Sequence, residues 1–106
     1  MFEIGKEYSR EDVHQVTGGS KHAFLPVKGG KVVAARLRPD LNPHAPEVIL
    51  CDGSASSRAA GRTLARQIEA VSVFVRTSSD RFRCVGEYVK NSSFTLAQIS
   101  RVIRMR

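Results

Sequence analysis

Tryptophan is absent from this chain, and the aromatic total is only 7%. Val, Ile, Leu and Ala must therefore carry most of the packing, and the core they build is modest. Cys51 and Cys84 are the only cysteines. Each sits in an apolar run, Val48-Ile49-Leu50-Cys51 and Phe82-Arg83-Cys84-Val85, where a buried free thiol in a reducing compartment is the expectation. The sequence neither requires nor forbids a bond between the two. No apolar stretch approaches the roughly 18–20 residues that span a bilayer. Met1-Phe2-Glu3-Ile4-Gly5 has neither the basic start nor the apolar core of a signal peptide. A cytoplasmic protein without a membrane partner is the expectation.

Catalytic groupings are missing as well. His14, His22 and His44 stand outside metal-ligand spacing of one another and of a cysteine pair. The carboxylates are scattered, and Glu11-Asp12 reads as a complement to a helix dipole at a helix start. No phosphate-binding Walker loop is present. Asp52-Gly53-Ser54-Ala55-Ser56-Ser57 can present backbone N–H groups to a phosphate, but helix capping is the commoner use of such a loop. No metal or cofactor is expected. A small hydrolase using His44 or the Asp52 loop ranks last among the functions considered.

Acidic residues are scarce relative to basic ones. Asp plus Glu number 10 against 17 Lys plus Arg, for a net charge of +7 over 106 residues. Twelve of the basic residues are arginine, whose planar fork grips phosphate or a guanine edge through paired bonds and stacks on bases. A basic excess of this size steers polyanions toward the surface. At 42% hydrophobic and 25% charged the composition is globular, and the length is that of one domain spanning 1–106.

Punctuation and periodicity give an order of elements. Ser9 with Asp12 three residues on is a capping box, opening a helix over Arg10–Val16 with Val13 and Val16 inward. Gly18-Gly19 ends it. Ala23–Val27 is a short edge strand because Pro26 lies inside it. Gly29-Gly30 is a hairpin turn leading into a strand over Lys31–Leu37. Arg38–Pro46 contains three prolines and is irregular. Glu47–Cys51 is a strand, and Arg58–Ala70 a helix with Ala60, Leu64, Ala65 and Ile68 inward. Ser72–Arg76 and Arg81–Lys90 are strands around a turn, with Gly86 marking a bulge. The core is expected over about 2–90, with 91–106 a C-terminal extension: a helical turn near Phe94–Ile99 followed by a strand over Arg101–Arg106, or one helix from Thr95. The expected fold class is α+β, a small curved, partly closed β-barrel with two helices.

The basic residues fall into sets. Arg58, Arg62 and Arg66 are spaced i, i+4, i+8 on one stripe of the second helix, opposite its apolar side. A phosphate-contacting ridge and a merely solvated helix face account for that stripe about equally. Arg81 and Arg83 share one face of the last long strand, and Arg36 and Arg38 share one near the end of the Val-rich strand. If the sheet curls, these pairs border one concave surface. His44 stands in a Pro-x-x-Pro frame that fixes its ring, although an exposed or structural His44 comes first.

Three segments carry a family pattern: Phe2-x-Ile4-Gly5-x-x-Tyr8-Ser9-Arg10-x-Asp12-Val13, then Asn42-Pro43-x-Ala45-Pro46-x-Val48-Ile49, then Val73-Phe74-Val75-Arg76 followed by Phe82-x-x-Val85-Gly86-x-Tyr88. Over roughly Phe2–Val89 the chain resembles the small PUA-like and SRA-like domains that accompany restriction nucleases and helicases in prokaryotic defence genes. The resemblance implies a curved barrel that reads DNA, including modified bases, beside a separately encoded nuclease. It also implies that Tyr8, Arg10, Phe82 and Tyr88 lie near a pocket mouth or its supporting core. The chain departs from the pattern in lacking Trp and in placing Phe82 and Cys84 where bulkier aromatics are common. The expected function is a non-catalytic nucleic-acid-binding module, with DNA favoured over RNA and contacts from Arg10, Arg36, Arg38, Arg58, Arg62, Arg66, Arg81 and Arg83. The alternative is a self-association module that forms a homodimer through an Arg-rich strand edge at Arg101–Arg106.

Overall fold

The computed structural model describes residues 2–51, 53–90 and 102–105. Along the chain these form β1 (Glu7–Tyr8), α1 (Arg10–Thr17), β2 (Val27–Lys28), β3 (Lys31–Val32), β4 (Ala34–Leu37), β5 (Val48–Leu50), α2 (Ala55–Arg66), β6 (Val71–Ser78), β7 (Arg81–Tyr88) and β8 (Val102–Arg104). The fold is α+β: two helices and a mixed central sheet in the order β1-β7-β6-β4, with β4 parallel to β6 and the other pairs antiparallel. Two further two-stranded ribbons, β2-β3 and β5-β8, stand apart from it. Among the described residues the strands thus form three sheets rather than one continuous closed barrel.

The predicted punctuation holds at α1. The Ser9 hydroxyl accepts from the Asp12 N–H and the Asp12 carboxylate accepts from the Ser9 N–H, each at 3.0 Å, so two otherwise orphaned donors are satisfied. Gly18, at φ 74, ends the helix and donates its N–H to the His14 carbonyl at 2.8 Å. Val16 does not face inward as expected; it is 52% exposed, and only Val13 of this short helix is buried. The helix touches the sheet around a single turn, so one inward residue suffices.

The Gly29-Gly30 hairpin is present, with both glycines at positive φ as a type I′ turn demands. The strand expected over Ala23–Val27 is not: only Val27 of that run is a strand residue. Pro26 has no N–H to extend a ladder. The segment still lies along β4, where the Phe24 carbonyl accepts from the Arg36 N–H at 2.8 Å and the Pro26 carbonyl from the Val33 N–H at 2.9 Å. The continuous strand expected over Lys31–Leu37 is broken at Val33, because β3 pairs with the hairpin and β4 with the central sheet. At the tail, Val102–Arg104 is a strand paired antiparallel with β5, so the single-helix alternative does not hold there. The Arg-rich edge proposed for dimer formation is therefore occupied on one side by β5. Residues Phe94–Ile99 lie outside the described residues.

Helix α2 begins and ends earlier than the expected 58–70. Ser54 caps it, its hydroxyl accepting from the Ser57 N–H at 3.2 Å. Gln67 leaves the helix with extended backbone, and its side chain explains the stop. Its Oε1 accepts from the Val32 N–H at 2.8 Å, and its Nε2 donates to the carbonyls of Val32 at 3.0 Å and Glu69 at 3.2 Å. A buried amide here does the work of a neighbouring strand for β3. Past that point helical periodicity no longer applies, and Ile68, expected inward, is 85% exposed. Ala60, Leu64 and Ala65 are buried as expected. Gly61 faces inward too, and a Cβ there would lie 2.6 Å from the Cys51 Cβ.

Two cores flank the central sheet. The larger joins Ala35, Leu37, Val71 and Val73 of the sheet to Leu25, Ile49, Cys51, Met105 and the inner side of α2. The smaller joins Ala34, Phe74, Phe82 and Cys84 to Val13 of α1, with Phe2 and Tyr8 against it. Alternation along a strand assigns odd and even residues to opposite faces. The β6–β7 register slips between Val73 and Phe74 of β6, leaving Val85 of β7 as an extra residue. Gly86 and Tyr88 consequently belong to the larger-core face while Phe82 and Cys84 belong to the smaller.

Candidate anion-binding hollow

A hollow of about 440 Å³ lies where the smaller core runs out at one end of the sheet. Its position follows from strand parity. Phe74 faces the smaller core, so Arg76 two residues on shares that face. Arg36 pairs opposite Phe74 and takes the same side, as Arg38 does at the next even position. Phe82 pairs opposite Arg76. The capping box fixes the start of α1 and with it Arg10. All five residues line the hollow, joined by Phe24, Leu41 and Leu50 on the apolar side and by His22, Asn42 and Ser57 among the polar ones. Among the described residues that line it, four are arginines and none is a carboxylate.

Each arginine is held differently. Arg36 is 4% exposed. Its Nη2 donates to the carbonyls of Lys21 and Ala23, each at 2.6 Å, and reaches that of Ser20 at 3.4 Å. This single fork organises the loop that forms one wall. Its Nη1 is buried and has no acceptor. Burial pushes the Arg36 guanidinium below its ordinary value, and the nearby charge of Arg10 adds to that shift. Arginine starts so high that the group remains cationic at neutral pH. Arg10 lies over the Phe82 ring, 5.6 Å from its centroid, and its backbone N–H donates to Asp80 at 3.0 Å. Arg76 donates from Nε to the Ser78 carbonyl at 3.0 Å. Arg38 is paired bidentately with Asp40, at 3.2 and 2.7 Å. Asn42 is buried, and its Oδ1 accepts from the Leu50 N–H at 2.7 Å, tying the proline-rich turn to β5.

Among the described residues three of these cations thus have no carboxylate in an ion pair, and one is crowded and desolvated. Such a group gains more from an incoming anion than an exposed cation does, because the field is less screened.

The expected site residues divide. Arg10, Arg36, Arg38 and Phe82 come together in the hollow. Arg81 and Arg83 share an exposed face of β7, where Arg83 approaches Glu7 at 3.7 Å, and neither lines the hollow. Arg58, Arg62 and Arg66 form the exposed stripe anticipated on α2, away from the lining. Arg58 donates to the Gly53 carbonyl, and Arg66 borders a separate depression beside the Gly29-Gly30 turn. Tyr8 stacks edge-on with Phe2, 5.0 Å between centroids, at a different depression. Tyr88 packs on the larger core, across the sheet from Phe82, with its hydroxyl donating to the Val85 carbonyl at 3.4 Å. His44 is exposed and does not line the hollow. His14 is half-buried on α1, and its Nδ1 has no partner among the described residues.

Arg76, His22, Asn42 and Ser57 belong to the lining and were not among the expected site residues. Arg76 was within reach of the sequence: alternation in Val73-Phe74-Val75-Arg76 ties its face to that of Phe74. The other three come from segments whose placement depends on tertiary contacts.

Both thiols are free and buried. Burial pushes Cys51 up to about 12, which leaves it protonated and unreactive at neutral pH. Among the described residues no three His, Cys, Asp or Glu side chains are grouped to hold a metal ion, and no helix is long and apolar enough to cross a membrane. Comparison with protein-family models, with curated proteins and with solved structures found no match to this chain.

Proposed function

We propose that this chain is a nucleic-acid-binding module, with DNA favoured over RNA, that binds without catalysis. The observation that carries the reading is the hollow itself: four arginines converge on it, and among the described residues no carboxylate lines it. Convergent guanidinium groups match phosphate oxygens in charge and geometry. The net charge of +7 draws a polyanion toward the protein before any specific contact forms. Exposed Arg58, Arg62, Arg66, Arg81 and Arg83 add to this long-range attraction, and the hollow supplies the contact that tells one ligand from another. The PUA-like or SRA-like resemblance supports the same reading and adds base modification as the property read, a curved, partly closed barrel as the architecture, and a separately encoded nuclease as partner. Binding without chemistry is the simpler proposal, because among the described lining residues His22 has no carboxylate beside it to orient it as a base.

The test is binding to labelled double- and single-stranded DNA, with and without modified bases, at low and moderate salt. Modification-dependent binding that survives moderate salt establishes a reader. Binding that disappears with salt for every oligonucleotide leaves only generic attraction. No binding at low salt, together with a dimeric mass in solution, replaces this proposal with self-association.

A further inference from the structure

We infer that the hollow takes a phosphate monoester on a single nucleotide: the phosphorylated end of a strand, or a free mononucleotide. The inference rests on the nucleic-acid reading above and narrows it from a backbone to an end group.

Size comes first. About 440 Å³ is the scale of a small-molecule site and accommodates one nucleotide, whereas a duplex cannot enter it. Charge comes second. A phosphodiester carries one negative charge, but a phosphate monoester carries between about 1.5 and 2 at neutral pH. Among the described residues Arg10, Arg36 and Arg76 face the hollow without a carboxylate in an ion pair, which is more positive charge than one diester neutralises. Arg36 also holds a buried Nη1 without an acceptor, a donor the fold itself leaves unused. Shape comes third. Phe24, Leu41, Leu50 and Phe82 give the same hollow an apolar side that suits a sugar or base, and inorganic phosphate alone would leave that side wet. Arg38 is already paired with Asp40, which leaves Arg10, Arg36 and Arg76 as the lining arginines available to the phosphate.

The experiment uses fluorescence anisotropy on the full chain. It compares identical single strands bearing a 5′-phosphate, a 3′-phosphate or only hydroxyl ends, with a free mononucleotide and inorganic phosphate as competitors. The expected result is at least tenfold tighter binding of one phosphorylated end than of the hydroxyl strand. The mononucleotide should compete at least tenfold better than inorganic phosphate, and Arg76→Ala should erase the preference. Arg76 is half-exposed and outside both cores, so this variant keeps its fold where Arg36→Ala does not. Direct binding of the mononucleotide, followed by calorimetry, without binding of any strand supports the inference and overturns the nucleic-acid reading. Equal binding of all three strands, unchanged in Arg76→Ala, overturns the inference and leaves the nucleic-acid reading standing. No binding by any probe overturns both.

Discussion

Arginines at the hollow and arginines along α2 carry the same charge in different surroundings. Arg36 is enclosed, forked onto three loop carbonyls and crowded by Arg10. Arg58, Arg62 and Arg66 stand on an outer helix face with water on most sides. Salt and solvent screen the second group within roughly 8–10 Å, so its pull on a ligand is diffuse. The first group acts through a drier space and also builds the wall it projects from. Spacing in the sequence advertises the helix stripe, whereas the hollow's set is scattered over residues 10, 36, 38 and 76 and is assembled by strand pairing.

The sharpest contrast should be in stability. Arg36→Ala strips charged hydrogen bonds from carbonyls of the Ser20–Ala23 loop and should destabilise by about 3 kcal/mol. Arg62→Ala should change stability by about 0.5 kcal/mol or less. Denaturant unfolding of the two variants measures both, and equal effects would dissolve the distinction.

Next comes the inner side of the same helix. Gly61→Ala removes a residue of poor helix propensity, yet the new Cβ would sit 2.6 Å from the Cys51 Cβ, which belongs to the rigid larger core. Overpacking should win, with a net loss of about 1–2 kcal/mol by urea midpoint. A stabilised Gly61→Ala would mean that α2 is not pressed onto β5 as described.

Binding should separate the groups by a smaller margin. Arg76→Ala is expected to weaken binding of a phosphorylated strand by about tenfold, the worth of one good charge-assisted contact. Arg62→Ala should weaken it by about twofold at most and mainly lower the salt dependence. Asp40→Asn, which frees Arg38, should strengthen binding by about twofold in the same titration.

Acid should act weakly on the fold. Glu11, Asp12 and Asp40 are held below the usual carboxylate range, chiefly by hydrogen bonds from the Lys21 side chain, the Ser9 backbone and the Arg38 side chain respectively. Lowered values mean stability that is fully present above the ordinary carboxylate range and lost as pH falls through the lowered ones. The melting temperature should therefore fall modestly on acidification below about pH 4, and Asp40→Asn should flatten part of that fall.

Much of the fold was legible where chemistry is local. Ser9 with Asp12, Gly18, Gly29-Gly30 and the proline-rich turn are signals of backbone geometry, and each falls where the sequence placed it. The misreadings arose where a distant residue decides. Gln67 ends α2 because its amide is recruited by Val32 on another ribbon, and no pattern near Gln67 announces Val32. Ile68 was placed inward by a periodicity that had already stopped. Of the site, Arg36 and Arg38 were legible as a pair and Arg10 through the resemblance. Their convergence with Arg76 and Phe82 was not, because it requires the parallel pairing of β4 with β6 across more than thirty intervening residues.

The hairpin of β6 and β7 carries two offsets that cancel. Pairs from Val71–Tyr88 to Val73–Gly86 keep one phase, those from Phe74–Cys84 to Arg76–Phe82 run one residue out of step, and Ser78–Arg81 returns to the first. The stretch holding Phe74, Arg76, Phe82 and Cys84 is therefore a cassette, set one notch aside between ends that are indexed as in an unbroken hairpin. Removing Thr77 and Val85 together would shorten both strands while leaving each remaining side chain on its present face. Removing either alone would straighten its own end of the cassette and leave the other bulge in place. The wall of the hollow can thus be changed by substitution between two bulges that absorb its offset, without renumbering the strand ends on which the larger core depends.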